Sequence, residues 1–309
     1  MTTMSPSPIT APVLTEPEVA QFHQDGFLAL DRITSPEEVA LIRQTIEALF
    51  ASKAGYEEGA RYQFTGLEDD PDDPGIPQII WPRHYAASLG KTEFEKNALA
   101  VARQLLGPEA RLNYEHALQK PALNGPASPW HQDAAFRDLD VTYEDVSIWM
   151  PLQPVDQVNG CMAFIPSTHR GEILPHRSPN DDPRIHAVEC YAGFDPQAAV
   201  VCPLPAGGCT IHHGRTLHGA GPNRSPAPRY AYVLNFSTPP ARIPKPPTFA
   251  WLQKKNTPHT QRRQTWKRRG GFLVENWRVF RKTSPKDYWK IFPKLKRKAL
   301  QLVSLPRKR

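Results

Sequence analysis

The sequence predicts a mainly β protein, a sandwich or barrel with flanking helices at its N-terminal side and a basic extension at its C-terminal side. Three observations predict it. Between Arg111 and Ser237, short apolar or alternating runs (RLNYEHALQK, DVSIWMPLQPV, CMAFIPS, AAVVCPLP, CTIHHG, YAYVLNFS) are separated by Pro- and Gly-rich breaks, the signature of many short strands. Ahead of them, two Ser/Thr start signals open runs of helical period. Behind them the composition changes. Residues 241–309 hold 21 of the 38 Lys and Arg but only Glu275 and Asp287 as acids, a local balance of +19, whereas the preceding 240 residues hold 17 basic and 29 acidic side chains. An acidic body carries a basic tail.

In chain order, residues 1–14 (MTTMSPSPITAPVL) read as a disordered leader, since they lack the basic and apolar segments of a secretory signal. Thr15 caps a first helix, Pro17 suits its first turn and Glu18 closes a capping box. That helix runs to about Gln24, followed by a turn at Asp25-Gly26 and a strand over Phe27–Leu30. Ser35 repeats the signal for a helix to about Ser52, with Val39, Ile42, Ile46 and Leu49 at helical spacing. Residues 66–78 form a Pro- and Asp-rich loop, and a third helix is expected over 92–105. The strands follow. At 309 residues the chain can bury a substantial core. It has no apolar run of the ~18 residues that a membrane span needs. Its four cysteines show no CxxC pattern, which fits a reducing compartment and a cytoplasmic location.

The motif that carries chemistry is His131-Gln132-Asp133. In an extended segment residues i and i+2 project to one side, so His131 and Asp133 can share an ion. With one distant histidine they would complete the two-histidine, one-carboxylate facial ligand set of non-haem iron(II) oxygenases, which leaves positions open for substrates. An isolated HxD more often marks an ordinary surface or core histidine. His212, His213 and His218 are all available as the distant partner, and strand periodicity does not choose among them.

Larger blocks do. WHQD (Trp130–Asp133), the stretch Trp149–His169, HGAGPNRSPAPR (His218–Arg229) and an opening FHQDGF stand in order. From about Leu14 to about Phe236 the chain resembles the phytanoyl-CoA dioxygenase family of Fe(II)/2-oxoglutarate-dependent oxygenases. The resemblance implies a double-stranded β-helix (a cupin-like jelly roll) over residues 15–240. It implies Fe(II) held by His131, Asp133 and His218, with 2-oxoglutarate and O2 as cosubstrates, and leaves His212 and His213 to core or rim roles. Arg229 would grip the distal carboxylate of 2-oxoglutarate with its two-pronged guanidinium, returning from a hairpin turn over Gly219–Pro226. Trp149 would lie against the cosubstrate, with Tyr114 and His116 as further contacts. Where many relatives have Ser two residues after the distal histidine, this chain has Ala220; Thr210 or Ser225 is the candidate replacement. Phe136, His213, Arg215 and Asn235 are candidate pocket or rim positions.

The implied activity couples oxidative decarboxylation of 2-oxoglutarate to hydroxylation, or a related C–H oxidation such as desaturation or cyclisation, of a small or lipidic organic substrate. Asp133 argues against halogenation, which needs a small residue there. A non-catalytic jelly-roll binding protein is the main alternative. A cupin-type isomerase or hydrolase would explain the triad but leave Arg229 without a task. Residues 254–309 interleave cations with Trp266, Phe272, Trp277, Phe280, Trp289 and Phe292. Such a segment suits packing on the acidic body or contact with an anionic membrane surface; single-stranded nucleic acid is the least favoured partner. Neither substrate nor oligomeric state is encoded in a recognisable motif.

Overall fold

The helix start signals become caps. Thr15 Oγ1 accepts from the Glu18 N–H while the Glu18 carboxylate accepts the Thr15 N–H at 2.7 Å, closing the capping box of α1 (Glu16–Asp25). Gly26 ends α1 at φ +83°, a left-handed position where a Cβ would also stand 2.3 Å from the His169 ring. Ser35 caps α2 (Pro36–Ala51) and Thr92 caps α3 (Glu93–Leu106). The Glu38 carboxylate of α2 accepts the N–H groups of Glu93 and Phe94 at 2.7 and 2.9 Å, which joins the two helix starts. The computed structural model describes residues 14–68, 75–136, 141–244, 248–271 and 273–274. The expected leader up to residue 13, part of the acidic loop and the tail beyond residue 274 lie outside the described residues.

Fifteen strands are described. The first five are β1 (Phe27–Leu30), β2 (Arg61–Gln63), β3 (Pro77–Ile80), β4 (Arg111–Lys120) and β5 (Ser128–His131). Next come β6 (Val141–Thr142), β7 (Asp145–Pro151), β8 (Met162–Phe164), β9 (His176–Arg177) and β10 (Glu189–Cys190). The last are β11 (Val200–Cys202), β12 (Cys209–His213), β13 (His218–Ala220), β14 (Arg229–Ser237) and β15 (Ala241–Arg242). A seven-stranded sheet has the order β1-β12-β7-β14-β4-β3-β2, and a four-stranded sheet the order β11-β8-β13-β5. All their pairings are antiparallel. The two sheets face each other as the expected jelly roll, with their outer strands open rather than closed into a barrel.

Alternation along the central strands sorts their side chains. Ile148, Met150, Tyr232, Leu234 and Phe236 pack with Ile42 and Ile46 of α2 and Phe94 and Val101 of α3. Their neighbours Trp149 and Val233 point the other way, into a second core with Met162 and Phe164 of the small sheet. Phe27 and Phe164 stack across the gap with ring centroids 4.7 Å apart.

One expectation fails. The Gly219–Pro226 segment does not join neighbouring strands in a hairpin. β13 pairs with β5 and β8, whereas β14 pairs with β4 and β7, so the chain crosses from one sheet to the other. The Asn223 side chain directs this crossing, donating to the carbonyls of Lys120, Pro121 and Ala227 at 3.3, 2.9 and 2.9 Å. Arg229 therefore reaches the site from the sheet opposite His218.

Under the large sheet lies a buried ionic knot. Glu115 of β4, 0% exposed, accepts from Arg83 Nε at 2.7 Å and from the Tyr232 hydroxyl at 2.6 Å, and Arg83 also meets Glu95 of α3 at 2.9 Å. Burial alone would lower the Arg83 pKa, but Glu115 and Glu95 hold it above its ordinary value. Glu115→Ala strands a buried guanidinium and a buried hydroxyl, so a loss of about 3–5 kcal/mol is expected. Urea unfolding should show this as a lower midpoint at unchanged slope.

Candidate active site

His131 closes β5 and His218 opens β13, and the two are direct cross-strand partners in the small sheet. Each has its Nδ1 on a local carbonyl: His131 on Pro129 O at 2.7 Å, His218 on Thr216 O at 2.9 Å. A ring nitrogen facing a carbonyl carries the proton, so both rings present a bare Nε2. Asp133 lies just past the strand, at the start of a 3-10 turn over Asp133–Phe136 rather than in an extended segment. Its Oδ1 stands 3.6 Å from each Nε2, and the ligand atoms of His131, Asp133 and His218 all lie within 4.8 Å of one another.

Gln132 explains how the turn holds. It is fully buried and points away from the ion site, donating to Arg215 O at 2.7 Å and accepting the Leu174 N–H at 2.7 Å. The other oxygen of Asp133 accepts from the Ser147 hydroxyl at 2.8 Å and lies 3.2 Å from His212 Nε2. Ser147 in turn receives Asn235 Nδ2 at 3.1 Å, which also donates to Asp145 at 3.1 Å. His212, Ser147, Asn235 and Tyr114 form one register row across β12, β7, β14 and β4. The large sheet thus reaches over the gap to orient a carboxylate that belongs to the small one.

Electrostatics prepares the group for a cation. Burial opposes ionisation of Asp133, but the surrounding His218, His212 and His131 hold its carboxyl well below the usual range. Burial lowers the His131 and His218 pKa values against the pull of Asp133, which favours the unprotonated rings. Ionised carboxylate and neutral imidazoles are the protonation states a divalent ion requires. The donor set fits iron(II), with one face of the ion left to other ligands.

Arg229 lies at the inner end of the same cavity, whose volume is about 650 Å³. It is 1% exposed, its Nε and Nη1 meet no hydrogen-bond partner among the described residues, and burial lowers its pKa to about 9. Its guanidinium lies 5.3 Å from the centre of the Trp149 ring. Lys120, opposite it on β4, is occupied by the carbonyls of Ala220 and Gly221. Such an arrangement has room for an external carboxylate.

The cavity collects all seven of the site residues expected from sequence: His131, Asp133, His218, Arg229, Trp149, Tyr114 and His116. Phe136 and Asn235 also line it, whereas His213 is turned to Glu144 at 2.6 Å and Arg215 is held behind the site through its backbone. Thr210 shares a register row with Trp149, Val233 and His116, and its buried hydroxyl has no hydrogen-bond partner among the described residues. Ser225 is committed to Asn223 and Ala227. Sequence reasoning missed Ser147 and the closeness of His212 to Asp133. Ser147 was detectable, two residues before Trp149 on an alternating strand; His212 depended on how β12 is placed in the sheet.

The family model of phytanoyl-CoA dioxygenase (PhyH) matches residues 22–231. A probable alpha-ketoglutarate-dependent hypophosphite dioxygenase of Stutzerimonas stutzeri is 26% identical over 222 residues, covering 70% of this chain and 76% of the relative. An ectoine dioxygenase of Bordetella parapertussis is 23% identical over 245 residues, covering 74% and 77%. The solved structure of EvdO2 from Micromonospora carbonacea var. aurantiaca, complexed with 2-oxoglutarate, superposes with a TM-score of 0.67 at 32% identity, covering 78% of this chain and 98% of that one. With a matched region that spans the His131–Asp133–His218 group and Arg229, the chain belongs to the phytanoyl-CoA dioxygenase family and is an Fe(II)/2-oxoglutarate-dependent oxygenase.

Proposed function

We propose that His131, Asp133 and His218 are the iron ligands, that Arg229 binds the distal carboxylate of 2-oxoglutarate, and that residues 15–240 form the catalytic domain. The observation that carries this reading is the buried, hydrogen-bond-deficient Arg229 guanidinium. A cation removed from water without an anion is costly, and a dicarboxylate entering from the cavity relieves that cost. When bound, iron with 2-oxoglutarate and O2 supplies the oxidising power for attack on a substrate C–H bond.

The chain's own residues do the positioning. The carbonyls of Pro129 and Thr216 hold the two rings with Nε2 forward, and Ser147 and His212 keep the outer oxygen of Asp133 engaged so that its inner oxygen faces the ion. Trp149 is the flat support beside Arg229, and Tyr114 and His116 on β4 complete the cosubstrate's surroundings. Burial lowers His116 to about 4, so it serves as a neutral partner. Thr210 supplies the hydroxyl that Ala220 lacks. Leu118, Met162 and Val233 keep water from the Arg229 end.

The substrate is a small or lipidic organic molecule. For the basic segment over residues 254–309 we take contact with an anionic membrane surface as the reading beyond the catalytic domain, carried by its cation and aromatic content. Cytoplasmic residence is the companion proposal, supported by Cys161, Cys190, Cys202 and Cys209 all being free and buried. No described helix is long and apolar enough to cross a membrane.

Anaerobic addition of Fe(II) and 2-oxoglutarate should develop a visible metal-to-ligand charge-transfer band in the wild type. Asp133→Ala and Arg229→Ala should lose or strongly weaken it, and a wild-type band in both variants would refute the assignments. Thr210→Val, nearly isosteric, should raise KM for 2-oxoglutarate by roughly 3–10-fold with kcat little changed, the scale of one hydrogen bond. Full-length protein should sediment with phosphatidylserine vesicles at low salt and be released at high ionic strength; equal retention on neutral vesicles would count against the membrane contact.

A further inference from the structure

With Arg229 given to the cosubstrate, substrate has to use the rest of the cavity, and part of that wall is built differently. That part comes from α4 (Ala250–Gln253) and α5 (Pro258–Trp266), both beyond the residues that the family model matches. Thr257, His259, Thr260 and Arg263 of this segment line the cavity. Although composition groups it with the basic tail, the segment is pinned on both sides of the mouth. Lys255 Nζ donates to Ile185 O at 2.6 Å and Ala187 O at 2.5 Å, and Trp251 Nε1 donates to Ala135 O at 3.1 Å. Arg262 pairs with Glu68, donates to Arg61 O at 3.1 Å and stacks on Tyr56 at 4.1 Å.

The chemistry of this wall is aromatic faces edged by hydrogen-bonding groups. His259 stacks on Tyr62 at 4.1 Å with planes 19° apart, Tyr62 lies 4.5 Å from His186, and His186 stacks on Phe136 at 5.6 Å. Gln78, Asn113 and Asn235 bring amide groups to the same cavity. Burial, with Arg262 and Arg263 nearby, lowers His259 to about 4, so its ring is neutral and offers one donor and one acceptor. A flat face with donors and acceptors around it matches a saturated ring, whose C–H face stacks on π systems while its hydroxyls take the rim. Asn235 is held by Asn113, Asp145 and Ser147, but a long acyl chain would offer nothing to Gln78 Nε2 and Asn113 Oδ1, which have no partner among the described residues.

We propose that the segment carrying His259, Thr260 and Arg263 is the substrate-selecting wall of this oxygenase and that it selects a hydroxyl-bearing ring compound over an acyl chain. The proposal rests on the iron and 2-oxoglutarate assignments above, and its test separates the two. Full-length protein loaded with Fe(II) and 2-oxoglutarate under anaerobic conditions is titrated by calorimetry with the methyl pyranosides of glucose, galactose, mannose and rhamnose, and with dodecanoyl-carnitine. At least one pyranoside should bind. His259→Ala and Arg263→Ala should each weaken that binding by about tenfold, the scale of a lost hydrogen bond or stacking contact, while retaining the charge-transfer band that reports an intact fold and cofactor site. Binding of the acyl probe alone, no binding by any pyranoside, or unchanged affinity in both variants would overturn the proposal. A wild type without the band overturns the cofactor reading beneath it, and the proposal with it.

Discussion

Strand β14 is hydrogen-bonded along both edges, to β4 and to β7, and its alternation must satisfy two environments at once. Its even-numbered residues, Tyr230, Tyr232, Leu234 and Phe236, belong to the helix-side core. Its odd-numbered residues include Arg229, Val233 and Asn235, which face the cavity. A slip of one residue would bury Arg229 among apolar helix side chains and turn Tyr232 away from Glu115, so stability and function share one register. Both neighbouring strands obey the same constraint, with Ile148 and Met150 set against Ser147 and Trp149 on β7, and Glu115 against Tyr114 and His116 on β4.

That register also explains how two sheets make one site. The small sheet supplies the histidine pair, and the short turn after β5 supplies Asp133. The large sheet supplies the hydroxyl and imidazole that fix the outer oxygen of Asp133, together with the guanidinium at the far end. The cavity accordingly brings together a buried guanidinium, the Asp133 carboxylate, and a wall of aromatic and imidazole groups beside Lys255 and Arg263. Arg229 is tolerated because its hydrocarbon part is packed and the cavity lets an anion reach its free N–H groups. The buried Glu115–Arg83 knot on the other face meets the same electrostatic problem with partners from within the chain.

The segment after β15 shows why composition and location are separate matters. By charge it belongs to the tail, yet Lys255 and Arg262 are engaged with backbone carbonyls and Glu68 on the body. A body with excess acid and a tail with excess base attract each other, but only particular hydrogen bonds decide where the tail rests. Here they bring it against the cavity, where it adds lining beyond the residues that the family model matches.

Much of this was legible beforehand because it depends on local chemistry. Capping residues, helical spacing and strand alternation act within a few residues, so α1, α2, α3, β1, β4 and β14 could be read from the sequence to within a residue or two. The HxD spacing and the HGAGPNRSPAPR block likewise placed the candidate ligands on short stretches of chain. The crossing between sheets at Gly219–Pro226 and the contacts of Ser147 and His212 with Asp133 were not legible, since each depends on which strand lies beside which. By itself the sequence determined the elements, the candidate residues of the site and the alternation that separates core from cavity. Only the tertiary structure decided which sheet presents each group and which segment walls the pocket, because those outcomes come from long-range pairing and side-chain contacts that no local pattern encodes.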